Sequence, residues 1–192
     1  MTPLRPFRCL SFFLTLVTCT QTAHAFTIEH SESRYADKHY QYELVVTLDA
    51  PIDRVEEVLR DYERYPSLDT RILQARVLER PTQHVALLET TVRACFGPFC
   101  RNVKRVERVE ESQHALAAIT DPARSDVKSG ETRTQLASSE SGGTRITYKT
   151  SILPGFWIPK LVGRRWMLST LEDATTDLFM NVEMKANGRL SE

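Results

Sequence analysis

The chain has 192 residues and sets 25 Lys and Arg against 25 Asp and Glu. That length suits one ordinary domain with room for a sizeable core. The charge balance argues against a nucleic-acid role and against a polybasic membrane patch.

Residues 1–25 read as a targeting segment rather than as fold. Arg5 and Arg8 form a positive start, Cys9 to Cys19 is an apolar core too short to span a bilayer, and Ala23-His24-Ala25 is an A-x-A site before Phe26. Two competing readings are an uncleaved anchor and a lipid on Cys19, where Leu16-Val17-Thr18-Cys19 loosely resembles a lipobox with an oversized Thr18. Cleavage after Ala25 predicts a periplasmic or secreted protein with a slightly negative net charge. No later apolar run approaches membrane-spanning length.

Residues 26–38 are polar and lack a clear period, which predicts an N-terminal arm able to add a short edge strand. Tyr40, Tyr42, Leu44, Val46 and Leu48 then alternate with less apolar neighbours, the mark of a half-buried strand. Asp49-Ala50-Pro51 stops it. A short amphipathic helix follows, with Asp53 as N-cap or first-turn acid and Val55, Val58 and Leu59 as its stripe. Tyr65-Pro66 is expected to end this helix, and residues 67–70 make a turn or short helical piece.

Strands dominate next, over residues 72–79, 85–94, 101–109, 115–120, 126–138 and 144–152, with breaks at Arg80-Pro81, Asp121-Pro122, Ser141-Gly142-Gly143 and Pro154-Gly155. Cys95 and Cys100 flank Gly97-Pro98, the signal of a hairpin loop. In an oxidising compartment cysteines on facing strands beside such a loop form a disulfide by default. One long helix, from about Ile158 to Lys185, ends the domain. Its stripe is Leu161, Arg165, Leu168, Leu171, Thr175, Leu178 and Val182, with Pro159 in the first turn and Asn187-Gly188 as the stop.

Short loops between consecutive strands predict antiparallel pairing, and the C-terminal helix is the one element long enough to cover the apolar face. The expected class is α+β: a curved antiparallel sheet of about seven strands wrapped around one long C-terminal helix, with one or two short helices after the first strand. Such a shape encloses an apolar cavity.

The opening Ala50-Pro51-x-x-x-Val55-x-x-Val58-Leu59-x-Asp61-Tyr62-x-x-Tyr65-Pro66 resembles that of the START-like (SRPBCC, helix-grip) superfamily, in its polyketide cyclase/coenzyme Q-binding branch. Gly142-Gly143-Thr144-Arg145-Ile146-Thr147-Tyr148 and Pro154-Gly155-Phe156-Trp157-Ile158-Pro159 also resemble that family's last strand and the start of its long helix. The resemblance spans about residues 39–186 and leaves 187–192 as a tail. Where the family often places a tryptophan two residues after a glycine, Gly130-Glu131-Thr132 offers threonine, which implies a more polar cavity.

The resemblance implies a domain that binds or carries a hydrophobic small molecule, such as a lipid, a quinone or a polyketide-like compound, between sheet and helix, with transient membrane contact as a further partner. The pocket-facing candidates are Tyr42, Leu44, Thr132, Thr134, Ile146, Tyr148, Trp157, Leu161, Arg165 and Leu168. A slip of one residue on the polar strands would reverse the face. Arg165 interrupts the helix stripe and is either a head-group anchor or a rim residue. The strand Arg101 to Arg108 poses the same choice between an inward arginine and a solvated face. Trp157, Phe156 and Trp166 read as cavity-mouth or core aromatics.

No catalytic set stands out: there is no G-x-S-x-G, no H-E-x-x-H, no phosphate-binding glycine loop and no dinucleotide fingerprint. No cofactor or metal is therefore expected. A cyclase or dehydratase using the same cavity, and a ligand-free interaction module with a filled cavity, remain the alternatives.

Overall fold

The alternation that begins at Tyr40 becomes the centre of a sheet. A computed structural model describes residues 26–96, 99–158 and 163–190. Its elements are β1 (Thr27–Ala36), β2 (His39–Leu48), α1 (Ile52–Arg60), a 3-10 turn (Tyr62–Arg64), α2 (Tyr65–Leu68), β3 (Ile72–Thr82), β4 (Val85–Phe96), β5 (Phe99–Ser112), β6 (Ala115–Thr120), β7 (Val127–Ser138), β8 (Thr144–Pro154) and α3 (Gly163–Ala186). The eight strands form one antiparallel sheet in the order β1-β2-β8-β7-β6-β5-β4-β3. Every neighbour but one is consecutive in sequence. The exception is β2 beside β8, so α1 and α2 carry the chain from the β2 side to the far edge at β3.

The inward row of β2, Tyr42, Leu44, Val46 and Leu48, is fully or almost fully buried. It packs with Leu136, Ile146, Val55, Leu59, Leu68, Phe179 and Val182. One helix, α3, thus lies on the concave face of the curved sheet, and α1 and α2 close one end. Polar pins fix this end. Glu183 Oε2 accepts the Asp49 amide hydrogen at 2.8 Å, while Asn187 Nδ2 donates to the Asp49 carbonyl at 2.7 Å and Asn181 Nδ2 to Leu68 at 2.6 Å. The helix stops as expected at Asn187-Gly188. Gly188 has φ +67, and the amides of Gly188 and Arg189 return to the carbonyls of Lys185 and Met184.

Several boundaries differ from the sequence expectation. Residues 26–38 carry a ten-residue edge strand, longer than the short one expected of the arm, which brings the strand count to eight. Most of β1 is exposed, so its ladder with β2 and not an apolar face holds it, and a ladder leaves no period to read. Arg80-Pro81 does not end β3, because β3 is the other sheet edge and its register is irregular there. Proline, which lacks a donor, is tolerated at such an edge. The first helix ends at Arg60, and Tyr65-Pro66 opens α2 with proline in its first turn instead of closing α1. Asp53 sits in the first turn of α1, and Pro51 holds the N-cap position. The described part of α3 begins at Gly163, so Pro159 and Leu161 lie outside the described residues.

Cys95 and Cys100 are register partners on β4 and β5 and form a disulfide. Among the described residues no helix is long and apolar enough to cross a membrane.

Candidate functional site

Beneath α3 lies a cavity of about 190 Å³, walled by side chains from every strand between β3 and β8 and from α1, α2 and α3. Its apolar wall includes Leu59, Ile72, Leu88, Val109, Leu178 and Phe179. Tyr62, Tyr65 and Tyr148 add aromatic surface. The Tyr148 and Phe179 rings meet edge to face at 5.4 Å, as do Tyr62 and Tyr65 at 5.8 Å. Surface clefts of about 320 and 510 Å³ lie elsewhere, but charged and polar side chains such as Glu32, Arg133, Lys149, Arg71 and Asp177 line them.

The strand register decides which polar groups enter the cavity. On β5 the residues Val103, Arg105, Glu107 and Val109 share one face by strand alternation. Arg105, Glu107 and Val109 line the cavity, and buried Val103 continues their row. Val106 points the other way. Its backbone is tied to Ser125 and Asp121 of the segment that follows β6. Arg105 Nη2 and Glu107 Oε1 form a close ion pair. Thr120 Oγ1 also donates to Glu107 Oε1, at 3.4 Å. Gly130 makes room for this arrangement: a Cβ there would stand 2.3 Å from Thr120 Oγ1. Arg105 Nε is buried and has no hydrogen-bond partner among the described residues.

The tyrosine hydroxyls are held protonated. Burial pushes the Tyr65 phenol well above its usual range, and the Glu107 carboxylate adds to the effect. Burial also raises Tyr148, with the Arg105 cation acting in the opposite direction. For Tyr62 the causes are burial and then its hydrogen bond to Glu111, donated at 2.8 Å. Tyr65 donates to the Leu59 carbonyl at 2.6 Å, which ties α2 to the end of α1.

Of the residues expected to face a ligand, Thr132, Thr134 and Tyr148 line the cavity. Thr132 shares a 2.9 Å hydrogen bond with Thr150. Tyr42, Leu44 and Ile146 are instead packed into the solid core between β2, β8 and α3. Leu168 is half-buried and away from the cavity wall, and Arg165 is exposed, so the early turns of α3 do not contribute to it. Trp157 is 77 % exposed, whereas Phe156 packs inward with the Arg101 guanidinium 4.5 Å from its ring centre. Leu161 lies outside the described residues.

Sequence reasoning left open an inward arginine on the strand Arg101 to Arg108 without singling out Arg105, and it missed Glu107, Tyr62, Tyr65 and Phe179 as cavity residues. A signal for Arg105 and Glu107 was present. Val103 and Val109 lie on one face of this strand and Val106 on the other, and strict alternation from Val103 to Val109 places Arg105 and Glu107 on the same side as the first two. Among the described residues no group of three His, Cys, Asp or Glu side chains could hold a metal ion.

This architecture, a curved sheet gripping a C-terminal helix over a cavity, is the START-like helix-grip fold. Solved structures share it. A START superfamily protein from Mycobacterium smegmatis aligns with TM-score 0.61 and 14 % identity over 77 % of this chain and 97 % of its own. A STAR-related lipid transfer protein from Xanthomonas axonopodis aligns with TM-score 0.62 and 14 % identity over 85 % and 99 %. An aromatase/cyclase from a Streptomyces species aligns with TM-score 0.61 and 17 % identity over 80 % and 96 %. At such identities the likeness is one of fold. No protein-family model and no curated protein sequence matches the chain.

Proposed function

We propose that this protein is an exported carrier that binds a small hydrophobic molecule in the cavity under α3. The observation that carries the reading is the cavity itself, with its apolar and aromatic walls and a few converging polar groups, the usual composition of a small-molecule site. Lipid-transfer and aromatase/cyclase proteins with the same fold support the ligand class. Burial of about 300 Å² of apolar ligand surface contributes roughly 7 kcal/mol. Lost ligand freedom offsets several kcal/mol, so affinity in the micromolar range is expected. The disulfide supports export, because such bonds persist in oxidising compartments.

Native mass spectrometry of protein purified from its own compartment tests the carrier. An apolar co-purifying mass is expected. The absence of both a bound mass and any uptake of apolar probes would refute it. N-terminal sequencing tests export: the chain should start at Phe26, and a start at Met1 or a lipidated Cys19 would overturn that step.

A cyclase or dehydratase reading gains from one observation, a carboxylate and a protonated phenol (Glu107 and Tyr148) on the same cavity wall. The carrier reading is favoured because Glu107 is held in an ion pair with Arg105, and among the described residues no other carboxylate and no histidine lines the cavity to act as a general base.

A further inference from the structure

We propose that the cavity selects an uncharged compound of one or two rings whose hydroxyl or carbonyl group is bound by Arg105 and Glu107 together, and that it rejects the corresponding carboxylate. The inference rests on the reading of the cavity as a ligand site and specifies what that site accepts.

Size comes first. A cavity of about 190 Å³ is only slightly larger than the roughly 150 Å³ that holds benzene, and it falls below the range of about 300–1,000 Å³ typical of drug-sized ligands. That volume matches a compound of one or two rings and is smaller than a full lipid or a multi-ring polyketide. Shape comes second. Tyr62, Tyr65, Tyr148 and Phe179 present ring faces and edges, and flat rings pack well against such walls in offset or edge-to-face geometry.

Charge comes third. Among the described residues that line the cavity, Arg105 is the one cation and Glu107 the one anion, and the ion pair makes them neutral as a unit. The pair nevertheless leaves hydrogen-bonding capacity. Arg105 lines the cavity, its Nε has no hydrogen-bond partner among the described residues, and the bonds Glu107 accepts fall on Oε1, which leaves Oε2 to accept. A ligand hydroxyl can accept from the Arg105 guanidinium and donate to Oε2. A carbonyl can accept from the guanidinium. A carboxylate would instead place a second negative charge beside Glu107 in a low-dielectric site, with no further cation among the described wall residues to balance it. Burial keeps the neighbouring tyrosines protonated and neutral, so they add no charge of either sign.

Fluorescence and thermal-shift titrations with naphthalene, 2-naphthol and 2-naphthoate at pH 7 test this. The three share one ring system and differ only in polar group. The purified protein should bind 2-naphthol at least about tenfold more tightly than either other probe, the scale of one hydrogen bond to a charged group. In Glu107→Gln the lone Arg105 cation should reverse the order in favour of 2-naphthoate. Should that variant fail to fold, Arg105→Met/Glu107→Leu replaces the pair with apolar groups of similar size, a change that cores often tolerate. It should bind naphthalene and 2-naphthol within about threefold of each other. Equal or tighter binding of 2-naphthoate by the wild type, or an undiminished 2-naphthol preference in the double variant, would overturn the proposal. Naphthalene binding without any preference would defeat this specificity alone. Failure of all three probes to bind would defeat the ligand-site reading beneath it as well.

Discussion

Ala118 sits on β6 at the cavity wall, packed beside Tyr62, Ala86, Leu88 and Val109. Replacing it with leucine adds three carbon atoms on the cavity side. The cavity leaves space of about 190 Å³ on that side. Three buried carbons contribute about 2.4 kcal/mol at 0.8 kcal/mol each, less about 0.5–1 kcal/mol of leucine rotamer entropy. The ligand-free protein should therefore gain about 1.5–2 kcal/mol. At about 2–4 °C per kcal/mol for a domain of this size, its Tm should rise by roughly 3–8 °C. The same side chain occupies ligand space, so uptake of an apolar fluorescent probe should weaken at least about tenfold. In a close-packed core the change would overpack and cost about 1–3 kcal/mol. The assays are a thermal melt without ligand and a probe titration on wild type and Ala118→Leu. A lower Tm with unchanged probe uptake would refute the reasoning, because it would mean that there is no space beside Ala118 and that the probe binds elsewhere.

Gly130→Ala should destabilise the protein by about 1–3 kcal/mol, because its Cβ would press on Thr120 Oγ1, and adding Thr120→Ala should restore part of the loss in chemical denaturation. The contribution of the buried tyrosines to stability should be level below about pH 10 and be lost above it. The buried Tyr62, Tyr65 and Tyr148 have phenol pKa values raised above the unfolded value, so the unfolded chain loses these protons first. Absorbance titration should show phenolate from these residues only as the protein unfolds, and Tyr62→Phe should flatten the alkaline decline. Replacing Cys95 and Cys100 with serine should lower stability by about 2 kcal/mol, as expected for a six-residue ring, while far-ultraviolet circular dichroism stays native. A loss of the native spectrum would mean that the hairpin staples the whole fold.

The sequence by itself determined the class of fold and most of its elements. Apolar alternation on β2 and β8, the Pro51 start of α1, the paired cysteines around Gly97-Pro98 and the Asn187-Gly188 stop are local signals. Each arises from backbone and burial constraints within a few residues, so each can be read locally. The tertiary structure alone decided where the cavity lies. Tyr42, Leu44 and Ile146 have the same inward parity as Tyr148, yet α3 presses on the first three and leaves space beside the last. Parity states which face a side chain takes, but the distance to the opposing helix depends on sheet curvature and on where α3 is pinned at Glu183 and Asn187. The length of the edge strand β1 was hidden for a related reason. Its pairing is made by backbone groups that every sequence carries, so its side chains carry no period. Arg105 and Glu107 were legible as one face of β5. Only the neighbouring strands and α3 could show that this face is the inner one.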